Sequence, residues 1–148
     1  DWDRRLRGRG LELRILKVCC RTGSSLVYVF RRERMDRIFQ DGSVLEFLAR
    51  EGYDTRRGFG GCLARLEGRL CAEGEFPHEL GLFLGYPLED VAGFIANGGK
   101  NCTCCGCWKA YGDPEAARRR FDLYHRCTDV YRRRFAEGVP ILRLAVAA

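Results

Sequence analysis

Apolar positions repeat every second residue at the start of the chain and every third or fourth residue beyond it. Leu11, Leu13 and Ile15 alternate with Glu12 and Arg14, which predicts a half-buried strand running on through Val18. After a turn-rich stretch at 21–25 come Leu26, Val27, Tyr28, Val29 and Phe30, a β-branched and aromatic run. Two such runs about a glycine-bearing turn predict an antiparallel hairpin. Cys19 and Cys20 end its first strand, where they read as packing residues.

Helical spacing takes over from there. Met35, Ile38 and Phe39 mark one helix, ending near Asp41 and Gly42. Ser43 with Glu46 three residues on has the form of a capping box, so a second helix starts at once, carrying Val44, Leu45, Phe47 and Leu48 as far as Gly52. Residues 53–61 hold Arg56, Arg57, Gly58, Gly60 and Gly61, and predict a mobile loop. Cys62, Leu63, Leu66 and Leu70 give the next helical face. Residues 76–97 read as a helix-turn-helix corner. Leu80, Phe83 and Leu84 line its first helix, Gly85 to Pro87 make the turn, and Val91, Phe94 and Ile95 line the second. Leu88, Glu89, Asp90, Ala92, Gly93 and Ala96 are then expected to face outward, and Asn97, Gly98 and Gly99 stop the helix.

Asp113 and Pro114 open the longest helix, which runs to near Glu137. Ala117, Phe121, Tyr124, Cys127, Tyr131 and Phe135 have the spacing of a buried face. Opposite them, Glu115/Arg119, Asp122/Arg126 and Asp129/Arg133 are acid-before-base pairs four residues apart. Gly138 ends this helix, and Ile141, Leu144 and Val146 around Arg143 predict a last strand. The expected fold is one α+β domain over residues 1–148. Its small antiparallel sheet combines the N-terminal hairpin with the C-terminal strand, under a cover of about five to six helices.

Composition narrows the class without fixing the function. A chain 46% apolar and 31% charged is ordinary for a globular protein. No run approaches the ~18 apolar residues of a membrane span. Nine cysteines, adjacent at 19–20 and again at 104–105, fit a reducing cytoplasm better than a disulfide framework. The net charge of +6 comes mostly from arginine, with lysine at Lys17, Lys100 and Lys109 alone. Arginine runs at 118–120 and 132–134 suit a nucleic-acid binder, but interleaved carboxylates make a solvated, self-paired face the stronger reading. Glu89 and Asp90, with no cation beside them, argue against docking of the corner in a DNA groove. No Ser/His/Asp or Cys/His arrangement has local support, and with 2 histidines the pattern leans away from an enzyme.

The stretch that carries chemistry is 102–107. Cys102, Cys104, Cys105 and Cys107 form two interleaved C-x-x-C pairs, 102/105 and 104/107. Thiolates bind zinc or iron–sulfur clusters, and a two-residue gap lets one turn aim two sulfurs at one ion. So short a segment hardly wraps all its sulfurs around one metal, so a closed site recruits Cys127, Cys62, Cys71, His78 or His125. The alternative is that these thiols pack as small hydrophobes. Cys104 and Cys107 are expected to share one thiol site. Gly106 between them points to a backbone angle that β-carbon-bearing residues resist, and Lys100 and Lys109 favour thiolate. His78, Glu79, Trp108 and Lys109 are accessory candidates.

The run FPHELGLFLGYPLEDVAGFI, then CCGCWKAYGD, then FDLYHRCTDVY resembles a bacterial family catalogued as domain of unknown function 3793, common in anaerobic Firmicutes. The resemblance covers nearly the whole chain. It implies a small cytoplasmic protein without assigned activity, and a short N-terminal segment, with its own cysteine, that this chain lacks. Three functions follow in order. The first is a metal-binding or thiol-redox accessory protein built on the cysteine cluster. The second is a non-enzymatic module holding a protein partner on the 76–97 corner. The third is an arginine-rich nucleic-acid binder.

Overall fold

In the computed structural model, which describes residues 2–72 and 74–145, the hairpin forms as β1 (Glu12–Val18) and β2 (Ser25–Phe30). Leu13 faces Val29 and Ile15 faces Val27, but the register slips at Leu16 before Lys17 meets Leu26. This extra residue is a β-bulge. Buried Tyr28 and Phe30 face Arg14 and Glu12, so the core side of β1 is the one that Leu16 shares. Leu16 is buried at 5% exposure while Ile15 stands out at 53%, against the simple alternation of Leu11, Leu13 and Ile15.

The chain divides into two compact units, Asp1–Gly85 and Tyr86–Ala148. The first adds α1 (Trp2–Arg7), α2 (Arg32–Ile38), α3 (Gly42–Arg50), a 3₁₀ turn (Thr55–Arg57), α4 (Gly58–Cys71) and the short α5 (Leu80–Phe83). Tyr28 stacks on Phe30 at 4.7 Å, Phe30 meets Phe59 edge-on at 5.2 Å, and Phe39 sits against both Phe59 and Phe83. Such aromatic contacts add about 0.5–1.5 kcal/mol each beyond the area they bury. The Tyr28 hydroxyl donates to the Phe83 carbonyl, so the buried phenol is satisfied.

Two local expectations fail in this unit. Asp41, not Ser43, caps α3: its carboxylate accepts from the Ser43 amide at 2.9 Å and from the Ser43 hydroxyl, while Glu46 pairs with Arg50. Residues 53–61 are also ordered rather than a loose loop. Tyr53 is buried, the 3₁₀ turn follows, and only Gly58 of the three glycines needs its positive φ, of 61°. Gly60 and Gly61 lie within α4.

The second unit holds α6 (Leu88–Ala96), β3 (Cys104–Cys105), β4 (Lys109–Ala110), α7 (Pro114–Ala136) and α8 (Ile141–Leu144). Its core is Trp108, Ala110, Ala117 and Phe121, with Tyr86, Cys104 and Tyr124 packed around them. The Asp113 carboxylate accepts from the Glu115 amide at 2.9 Å and Pro114 opens the first turn, as the sequence predicts. The expected buried face of α7 stops early, however. Ala117 and Phe121 are buried and Tyr124 half-buried, but Cys127 is exposed, with Tyr131 at 42% and Phe135 at 58%. The β3–β4 hairpin has two residues per strand, too few to reach past the first turns of the 23-residue helix. Of the three predicted pairs along α7, Glu115–Arg119 closes to 3.8 Å, and the others stay beyond ion-pair distance.

The predicted C-terminal strand is absent among the described residues. Residues 141–144 form α8, which follows Pro140 at φ −62° and turns back on α7 after Gly138 at φ 85°; Val146 lies outside the described residues. The β1–β2 sheet thus has two strands, and among the described residues the α+β fold is built from eight helices and two small antiparallel sheets.

Candidate functional site

The cysteine segment is held by one buried carboxylate. Asp90, on the first turn of α6, is 4% exposed. It accepts from Trp108 Nε1 at 2.7 Å, from the Tyr111 amide at 2.7 Å and from the Gly112 amide at 3.3 Å. The expectation that Asp90 faces outward beside Glu89 is therefore overturned, while Glu89 is exposed. The signal was available: Asp90 lies four residues before Phe94, on the edge of the apolar stripe of α6.

Asp90 fixes both ends of β4, and β4 fixes β3. Cys104 pairs with Ala110 and Cys105 with Lys109. Thr103 closes the ladder with its amide on the Ala110 carbonyl and its hydroxyl on the Gly112 carbonyl at 2.8 Å. Adjacent strand residues point to opposite faces, so the two vicinal thiols part. Cys104 packs on the Trp108–Phe121 core, and Cys105 is exposed. Trp108 stacks on Tyr86 at 4.5 Å and meets Phe121 edge-on at 4.7 Å.

Gly106 is required for a different reason from the one the sequence implies. Its φ is not in the left-handed region; instead, a β-carbon there would lie 2.3 Å from the Phe121 ring. The loop rests directly on α7, and this brings Cys107 to the helix one turn further along. Cys107 Sγ lies 4.0 Å from His125 Nε2. Both groups are exposed. Burial raises the Tyr86 hydroxyl above its ordinary pKa, and the negative charge of a Cys107 thiolate adds to that rise.

The other candidates do not converge here. His125 and Cys127 sit two residues apart, about 200° round the helix, and Cys127 faces a groove between α7 and α8. Cys102 is half-buried, near enough to Tyr111 for its charge to raise that hydroxyl's pKa, though burial contributes more. Lys109 does not face the thiols with its ammonium, which donates to the Gly99 carbonyl at 2.7 Å. His78 and Glu79 belong to the first unit. There Glu79 is buried, taking a hydrogen bond from Tyr53 at 2.5 Å and an ion pair from Arg69 at 2.5 Å. His78 is exposed, its ring 5.6 Å from that of Phe76. Cys62 is a packing thiol in α4, its pKa pushed up by burial.

Among the described residues, no three His, Cys, Asp or Glu side chains converge in a way that could hold a metal ion. A closed zinc or iron–sulfur site takes three or four protein ligands, so Cys102, Cys104, Cys105, Cys107 and Cys127 do not form one together. The helices of the 76–97 corner fall in different units, α5 before Gly85 and α6 after it.

Two residues carry more than their sequence pattern predicts. His125 is one of several possible recruits for the cysteines by sequence, whereas its place one turn after Phe121 is what sets it beside Cys107. Cys19 reads in the sequence as strand packing. It lies at the hairpin turn, where the Thr22 hydroxyl, then the Thr22 and Arg21 amides, hold its thiol below the ordinary cysteine range.

No helix among the described residues is long and apolar enough to cross a membrane. No curated protein and no solved structure matches the chain. The family model described as "Protein of unknown function (DUF3793)" matches residues 1–145, and the chain belongs to that family.

Proposed function

We propose that the protein is a thiol–disulfide exchange protein of a reducing cytoplasm, with Cys107 as the attacking sulfur and Cys104 as the resolving one. The observation that carries this reading is the 4.0 Å approach of Cys107 Sγ to His125 Nε2. An imidazole beside a thiol accepts its proton and stabilises the thiolate, which is the nucleophile. Nine cysteines, all free, fit the compartment.

The exchange balances without an added oxidant. Cys107 gives its proton to His125, and its sulfur attacks one sulfur of a substrate disulfide. The S–S bond of the substrate breaks, a mixed disulfide forms on Cys107, and the departing thiolate takes the proton from His125. Cys104 then loses its proton to solvent and attacks the Cys107 sulfur. The released second thiolate takes up a proton, leaving a Cys104–Cys107 disulfide. The substrate has gained two electrons and the protein has lost them. Cys104 suits the second step because the Trp108 core shields it, while Cys107 is open to a substrate.

In a background with Cys19, Cys20, Cys71, Cys105 and Cys127 replaced by serine, so that the other accessible thiols are gone, reduced protein incubated with oxidised glutathione should show the mixed disulfide by intact mass, followed by its loss as the internal disulfide forms. Cys104→Ser should trap the adduct, and Cys107→Ser should abolish both species. His125→Gln should slow formation of the adduct. Retention of the adduct in Cys107→Ser, or a rate of adduct formation unchanged by His125→Gln, would refute the assignment.

A further inference from the structure

The exposed end of α7 is more than an uncovered helix. With α8 folded back against it, it forms a groove of about 560 Å³. Val130, Tyr131, Val139 and Leu144 make the floor, and Val130 is 48% exposed although apolar. Arg126, Arg134 and Arg143 stand along the rim, and among the described residues no carboxylate lines it. Glu137 pairs with Arg134 at 3.3 Å from the end of the helix, leaving Arg126 and Arg143 without an acidic partner among the described residues. Asp122 and Asp129 each lie about one turn from Arg126 along α7, but neither is part of the groove's lining.

We infer that this groove docks an acidic amphipathic helix of a protein partner. An apolar floor of helical residues takes side chains spaced at i, i+3 or i+4, and i+7 from a facing helix. The cationic rim selects carboxylates on the flanks of that helix. A second copy of the chain is disfavoured, since it would bring arginine rim against arginine rim. The groove is concave, whereas an anionic lipid surface is met by the convex apolar side of a helix. The inference is independent of the thiol chemistry: Cys107 and His125 contribute nothing to the groove.

The test uses the full chain and a fluorescein-labelled synthetic helix with leucines at i, i+3 and i+7 and glutamates elsewhere. A peptide with lysines replacing the glutamates and vesicles of phosphatidylcholine and phosphatidylglycerol serve as comparisons. The acidic peptide should bind at least about tenfold more tightly than the basic one, and binding should weaken as salt rises. Val130→Gln/Tyr131→Gln, which keeps good helix propensity, should abolish binding with the melting temperature held. Arg126→Glu/Arg143→Glu should reverse the preference between the peptides. Equal binding of both peptides would overturn the inference, as would binding to vesicles alone or concentration-dependent self-association lost in the glutamine variant. So would a lower melting temperature in the glutamine variant, because the chain would then be closing the groove itself.

Discussion

Replacing Asp90 with alanine should loosen the second unit far more than its size implies. Three N–H groups lose their acceptor at once: the Trp108 indole, in a residue only 9% exposed, and the half-buried amides of Tyr111 and Gly112. A buried donor left unsatisfied costs about 1–3 kcal/mol, and each amide that water can reach costs about 0.5–1.5. The expected loss for Asp90→Ala is therefore about 2–6 kcal/mol. Asp90→Asn should cost roughly half of that, since its oxygen can keep both amides while its NH₂ meets the indole N–H donor to donor. Glu89→Ala, one residue earlier and exposed, should stay within about 0.5 kcal/mol. Urea melts in a Trp2→Phe background read Trp108 alone, and so report the unit that Asp90 holds. An Asp90→Ala loss below about 1 kcal/mol, with Trp108 emission unshifted, would refute the carboxylate anchor.

Two further outcomes test the first unit. The Cys19 thiol should react with iodoacetamide at lower pH than Cys20, because a depressed pKa populates thiolate earlier as pH rises, and Thr22→Ala should move its profile back upward; coincident profiles would remove the proposed hydrogen-bonded turn. Arg69→Ala leaves Glu79 buried without its cation and should cost about 3–5 kcal/mol by chemical denaturation, whereas Arg14→Ala, half of an exposed pair with Glu67, should cost under about 1.

The sequence was most informative where one element could satisfy its own pattern. The hairpin, the α4 stripe and the Asp113–Pro114 start of α7 depend on near neighbours, and each appears where periodicity and capping put it. Parity in β1 did not, because the run Leu13, Arg14, Ile15, Leu16 offers an apolar residue to the core on either phase, and pairing with β2, whose Tyr28 and Phe30 are buried, chooses that of Leu16. Ile141 to Leu144 gives the same ambiguity over four residues, resolved as helix by Pro140 ahead of it and α7 beside it. The buried face of α7 failed for a third reason. Its spacing says which residues share a side, but how far along that side anything packs depends on the length of the β3–β4 hairpin. At the proposed thiol site, C-x-x-C spacing offered two pairs, 102/105 and 104/107. It could not report that strand pleating sends Cys105 away, or that Phe121 sets the height at which Cys107 meets His125.

That height has a consequence for what the chain can tolerate. The loop touches α7 where a hydrogen atom on Gly106 is all that separates the backbone from an aromatic ring. Positions 106 and 121 thus share one fixed volume, and the ring acts as a spacer gauge between sulfur and imidazole. A methyl group added at 106 would lift the loop off the helix and widen the Cys107–His125 gap without touching either residue. A smaller side chain at 121 would let the loop settle back, so the two positions are free to change together and constrained to stay put alone.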